Sequence, residues 1–195
     1  MMGSDPTMTV ADTAGAGELS TSSNDEMIRE FVEHWGVMAR SWGINATMGE
    51  LFALLYVTGT DWTADGLRER LRISRGNVSM NLRELMAWGV VHKVHRQGER
   101  REFYRAESEV WTLFRRILAE RKRRELDPTL ALLKMTADRV ADGNEPRPAH
   151  DRIVALQQFT DLVDRLSTLL LALEGDQVDA LEELLKIAES SSKSE

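Results

Sequence analysis

The chain has 195 residues, 42% hydrophobic and 29% charged, with 25 Lys and Arg against 32 Asp and Glu, and no Cys. These are ordinary values for a folded chain with room for one domain or two small ones, and they argue against a mainly disordered or fibrous protein. Without Cys there can be no disulfide, thiolate metal site, iron–sulfur cluster or cysteine-based redox sensor, and no apolar run approaches the ~20 residues of a membrane span.

Residues 1–23 are rich in Ser, Thr, Gly, Ala and Met, offer little apolar surface to offset ordering entropy, and read as a disordered tail. No basic segment followed by an apolar one opens the chain, so the expected location is cytoplasmic, with no membrane partner. Ser23 and Glu26 form a capping-box pattern, after which Ile28, Phe31, Trp35, Met38 and Trp42 recur at spacings of three and four, predicting an amphipathic helix that ends near Gly43. A second box, Thr47 with Glu50, opens an apolar helix through Leu51, Leu54, Leu55 and Tyr56 that stops near Gly59. Thr63 caps a third helix carrying Leu67 and Leu71, and Ser74 caps a fourth that ends at Gly89, a residue suited to the left-handed conformation past a helix end.

The period then changes from helical to alternating. Val90, His92 and Val94 alternate with Val91, Lys93 and His95, and the polar Gln97-Gly98-Glu99-Arg100 turn leads into Arg101-Glu102-Phe103-Tyr104-Arg105, which predicts a β-hairpin. Helices resume over about 108–126, again from an Asp127 N-cap with Pro128 in the first turn, and twice more after an exposed linker at 142–148. The expected fold class is mainly α: a winged helix-turn-helix with one small β-hairpin wing, plus a helical dimerisation region. Three segments follow, a tail at 1–23, a DNA-binding domain at 24–126 and a helical regulatory region at 127–195.

The formal net charge of −7 conceals an uneven distribution. Residues 1–60 carry −6, residues 61–126 carry +6 and residues 127–195 carry −7, so the middle third is the segment suited to an anionic partner, double-stranded DNA. Two short helices joined by a tight turn and followed by a hairpin have the order of a module that lays its second helix in the major groove. In that helix Val78, Leu82, Leu85 and Met86 form an inward stripe, which leaves Asn77, Met80, Glu84 and Ala87 facing outward with Gly76, Asn81 and Arg83 on the flanks. Arg75, Asn77, Met80 and Asn81 are the base-reading candidates: Arg pairs with guanine, Asn with adenine, and a Met tip meets a thymine methyl. Ser74 and Ser79 near the helix start, with Arg83, Lys93 and Arg96, are candidates for phosphate contacts, and Gln97, Arg100 and Arg101 form the wing tip.

The run Ile73-Ser74-Arg75-Gly76-Asn77-Val78-Ser79-Met80-Asn81-Leu82-Arg83-Glu84-Leu85, with Trp88-Gly89-Val90-Val91, Gln97-Gly98-Glu99-Arg100-Arg101 and Tyr104, resembles the glycine-betaine-regulator (GbsR-type) branch of the MarR-like winged-helix transcription regulators. The resemblance covers about residues 25–140. It implies a prokaryotic homodimeric regulator, often a repressor, that reads DNA through the fourth helix and the wing at 97–101. It also implies a small-molecule effector, of which a quaternary ammonium compound held in an aromatic cage is one form.

A two-fold dimer matches a pseudo-palindromic operator. Leu156, Phe159, Val163, Leu166, Leu170 and Leu173 recur at helical spacing, Val178, Leu181, Leu185 and Ala188 extend the pattern, and Phe31 and Trp35 offer a second apolar surface; the expected dimer interface draws on these. No enzyme motif occurs: there is no phosphate loop, nucleophile elbow or zinc-hydrolase helix, and His92 and His95 point to opposite faces of a strand, so neither catalysis nor a metal or other cofactor is expected. The competing reading is an effector-independent architectural winged helix, or one whose wing and helix dock on protein.

Overall fold

Thirty residues, Asp12–Ser41, form the first helix, α1. It begins upstream of the Ser23 cap read from the sequence, because 12–22 contain no proline and the Ser23 turn continues a helix whose own carbonyls accept its N–H groups. The part of the predicted tail from Asp12 onward is therefore helical backbone, a correction to the sequence reading. The computed structural model describes residues 12–141, 147–175 and 177. Of the linker expected over 142–148, residues 142–146 lie outside the described residues, as does the expected last helix carrying Val178, Leu181, Leu185 and Ala188, whereas Arg147 and Pro148 already belong to a helix, a correction that fits proline's place in a first helical turn.

The fold divides between Ser108 and Glu109 into two units. In the first, α1 packs on α2 (Ala46–Thr58), whose Met48, Gly49 and Leu51 to Leu55 are all buried. A helix apolar on nearly every face belongs at the centre of a core. The α1 face that meets it carries Ile28, Val32 and Ala39, and the crossing is close: a Cβ built on Gly49 would lie 2.5 Å from the Ala39 Cβ. The cap of α2 is Asn45, whose side chain accepts from the Met48 N–H, not Thr47 as the sequence pattern suggested; Gly59 ends the helix at φ 61. Glu50 does not return to the cap, because it lies across Gly36 of α1.

The helix-turn-helix follows its sequence signals closely. Thr63 accepts from Gly66 to open α3 (Ala64–Leu71), Arg72 closes it in the left-handed conformation, and Ser74 accepts from Asn77 to open α4 (Arg75–Ala87). Leu67, Val78, Leu82 and Leu85 bury the inner faces, and Gly89 at φ 74 ends the run. The hairpin pairs β2 (Val91–Val94) with β3 (Phe103–Ala106), and a two-residue strand unseen in the sequence, β1 (Trp62–Thr63), pairs with the other edge of β3 in an antiparallel sheet of order β1-β3-β2. Two residues are too short for alternation to register.

In the second unit α5 (Val110–Arg121) continues through a π-helical turn (Lys122–Leu126) into α6 (Asp127–Ala141). Asp127 has helical backbone angles, so the predicted N-cap is absent. Pro128 supplies no N–H to the preceding turn and crowds the carbonyl four residues back, and the helix widens there to a π turn. This continuity explains why the chain divides before α5 and not at 126: α5 and α6 are one helical run that packs as a body on α7 (Arg147–Ala172). Leu113, Leu130 and Ala137 are buried, the Trp111 indole donates to the Leu173 carbonyl, and Lys122 pairs with both Asp127 and Asp164. Among the described residues no helix is long and apolar enough to cross a membrane.

Candidate nucleic-acid interface

The outer surface of α4 begins where its core stripe leaves off. Val78, Leu82 and Leu85 point inward, so Ser74, Arg75, Gly76, Asn77, Ser79, Met80 and Arg83 are left exposed, Met80 by 53%. The N-terminal half of this surface is small and polar. The first-turn N–H groups and the helix dipole make that end attractive to anions, and Arg75 has no ion pair within the described residues. Arg83 donates from Nε to the Ser79 carbonyl, which holds its guanidinium along the helix.

Asn81 corrects the sequence reading. It stands three residues after Val78 and four before Leu85, inside the buried stripe, is only 4% exposed, and its Nδ2 donates to the Asn77 carbonyl at 2.8 Å. Its amide supports the helix and is not presented to a groove. The helix buries one further side chain between the apolar stripe positions.

The wing turns at Gly98, with φ 83, and Glu99 donates its N–H to the Arg96 carbonyl at 3.1 Å. Gln97, Arg100 and Arg101 are exposed at the tip; Arg101 pairs with Glu99 at 3.3 Å, while Arg100 has no ion pair among the described residues. Lys93 and Arg96, the phosphate candidates of the wing, each have an acidic partner at its base while their side chains stay 41% and 48% exposed. Lys93 donates to Glu102 at 2.6 Å, and the same carboxylate accepts from the Tyr104 hydroxyl at 2.9 Å. The Lys93 hydrogen bond holds the Glu102 carboxyl below its ordinary value, whereas burial, with the Glu102 contact, pushes the Tyr104 phenol up to about 12. Arg96 stacks 4.3 Å above the Phe103 ring and donates to Asp61 at 2.9 Å, and Arg105 donates to the other Asp61 oxygen at 2.6 Å.

Asp61 is the structurally decisive residue that the sequence did not disclose. Its side chain is 3% exposed, it immediately precedes β1, and it ties β3 and the segment just after β2 to the start of the helix-turn-helix. The Arg105 hydrogen bond, with a further one from Arg96, holds its carboxyl below the ordinary value against the opposing effect of burial. The partners stand 35 and 44 residues away, so only the β1–β3 pairing brings them together.

The residues proposed for self-association fall in both units. In the first, Phe31 stacks on Trp35 at 5.2 Å, Trp35 lies 6.4 Å from Phe52, and Phe52 stacks on Tyr56 at 5.7 Å, so Phe31 and Trp35 are half-buried within one protomer. In the second, Leu156, Phe159 and Leu166 of α7 are 53%, 63% and 51% exposed, whereas Val163 and Leu170 are half-buried.

No protein-family model matches the sequence, and no curated protein does. Among solved structures, a transcriptional regulator of 21% identity aligns over 74% of this chain and 95% of its own with a TM-score of 0.57. Looser alignments, with a TM-score of 0.35 each, are to the reduced form of MarR from E. coli (13% identity, 94% of this chain and 98% of that one) and to a MepR variant from S. aureus bound to an oligodeoxyribonucleotide (12% identity, 89% and 96%). The chain has a mainly α, winged helix-turn-helix fold like that of the first of these structures.

Proposed function

We propose that this protein is a sequence-specific DNA-binding transcription regulator of the GbsR-type branch, a cytoplasmic homodimer that represses by occupying a pseudo-palindromic operator and is released by a small-molecule effector. The observation that carries the reading is the exposed N-terminal half of α4, polar and small, backed by a fully buried stripe and standing in a +6 segment of an otherwise acidic chain. Arg75, Asn77 and Met80 are assigned to base edges, Ser74, Ser79 and Arg83 to phosphates, and Gln97, Arg100 and Arg101 to the backbone or minor groove beside the wing. The dimer is assigned to the exposed face of α7 together with Phe31 and Trp35. No catalytic role is proposed.

Fluorescence anisotropy against a selected genomic fragment and a random duplex, over a series of salt concentrations, tests this. Binding weakens linearly on a log–log plot of affinity against salt. Asn77→Ala or Arg75→Ala costs about 1–3 kcal/mol on the selected site and relaxes discrimination, whereas Arg100→Ala weakens both duplexes alike and flattens the salt slope. Equal, sequence-blind losses in all three variants would remove base reading from α4 and favour an architectural or protein-docking winged helix.

A further inference from the structure

A cavity of about 450 Å³ opens in the first unit between α1, α2 and the end of α3. Its apolar wall is Ile28, Val32, Leu54 and Leu71, and its polar lining includes Glu50. Glu50 is half-buried and has no hydrogen-bond or ion-pair partner among the described residues. Room for it exists because residue 36 is glycine: a Cβ there would stand 2.7 Å from the Glu50 Cγ and 2.8 Å from its Oε1. Two lining arginines are already engaged, Arg29 with Glu26 at 3.2 Å and Glu33 at 3.7 Å, and Arg70 with Asp25 at 3.1 Å. Arg72 is exposed and makes no pair with Glu50.

We infer that this cavity binds a small molecule carrying an N–H-bearing ammonium group on an apolar body, with Glu50 as the ammonium's acceptor. A half-buried carboxylate without a partner gains most from an added cation that can also donate hydrogen bonds. Burial pushes the Glu50 carboxyl above its ordinary value, with Arg40 opposing and Glu33 reinforcing the rise. A fully methylated ammonium fits less well: it has no proton to donate, and no aromatic ring lines the cavity to hold it by its π face. The apolar wall suits an aliphatic body, and the volume leaves room for more than a few carbons.

The same cavity reaches the helix-turn-helix. Leu71 and Arg72 belong to its lining, and Arg72, a non-glycine residue, is held at positive φ, 54°, where α3 turns toward α4. An occupant touching that turn changes the relative stability of its two neighbouring helices' arrangement, so occupancy alters DNA affinity; this second half rests on the DNA-binding reading above.

Isothermal titration of the full chain, without DNA, uses isopentylammonium, isopentanol and isopentyltrimethylammonium as probes. Saturable binding of the primary ammonium, about tenfold or more tighter than either analogue and lost to a similar degree in Glu50→Gln, is the expected result. Equal binding of the three probes, no binding of the first, or an affinity unchanged in a folded Glu50→Gln overturns the site; if that variant does not fold, the probe series on the native chain decides. Anisotropy with a bound DNA fragment then reads the coupling, expected as a fivefold or larger change in Kd on adding the ammonium probe. An unchanged Kd with the probe bound refutes the coupling. Probe binding with no DNA binding refutes the proposed function and upholds the site, whereas DNA binding without probe binding refutes the site alone.

Discussion

Asp61→Asn isolates what holds the wing in place. The side chain keeps its volume but loses the charge that meets Arg96 at 2.9 Å and Arg105 at 2.6 Å. Removing one partner of a fully buried ion pair costs about 3–5 kcal/mol. Here the carboxylate is 3% exposed while the guanidinium side chains are 48% and 55% exposed and can rehydrate, so the loss is smaller, about 2 kcal/mol. Hydrogen exchange reads this locally: amides of β2 and β3 that exchange through opening of the wing do so about 30-fold more often in the variant, while amides elsewhere that exchange by fluctuations leaving the wing closed are unaffected. The pH dependence has a fixed sign. Because the folded state holds Asp61 below its ordinary value of 3.8, its contribution is present in full above that value and is lost as pH falls through the lower, folded one; the variant lacks this acid-sensitive component. Wing amides that exchange at the native rate in Asp61→Asn, or an identical acid response in both proteins, would refute the clamp.

Gly49→Ala places a methyl 2.5 Å from the Ala39 Cβ, and the overpacking costs about 1–3 kcal/mol despite alanine's better helix propensity; a thermal melt shows the loss, and Ala39→Gly in the same chain restores much of it. Leu166 is 51% exposed within one protomer, so Leu166→Asp costs the monomer's own fold about 1 kcal/mol and acts mainly on assembly. Sedimentation then shows the variant dissociating at concentrations where the native chain is dimeric, and a native chain that sediments as a monomer while holding its operator at full affinity removes the two-half-site mechanism.

Local signals were readable from residue order because they are local in physics. A Thr or Ser side chain caps the helix that begins at the next residue, so Thr63 and Ser74 open the two helices that flank the turn, and Gly59 and Gly89 end helices because a residue without Cβ accepts positive φ. Periodicity likewise placed Val78, Leu82 and Leu85 inward and left Arg75, Asn77 and Met80 outside. Competing local signals were resolved only by packing: Asn45 displaced Thr47 as a cap because Glu50 is drawn across Gly36, and the Pro128 signal for a helix start became a π turn inside a continuous helix. The tertiary fold alone decided the contacts between residues far apart in the chain. Asp61 finds Arg96 and Arg105 through a two-residue strand, Asn81 turns inward because its neighbours on the helix face the core, and the Glu50 cavity exists because α1 and α2 cross at glycines. Capping and periodicity act within a turn or two of helix, whereas burial and charge pairing depend on which distant segments the whole chain brings into contact.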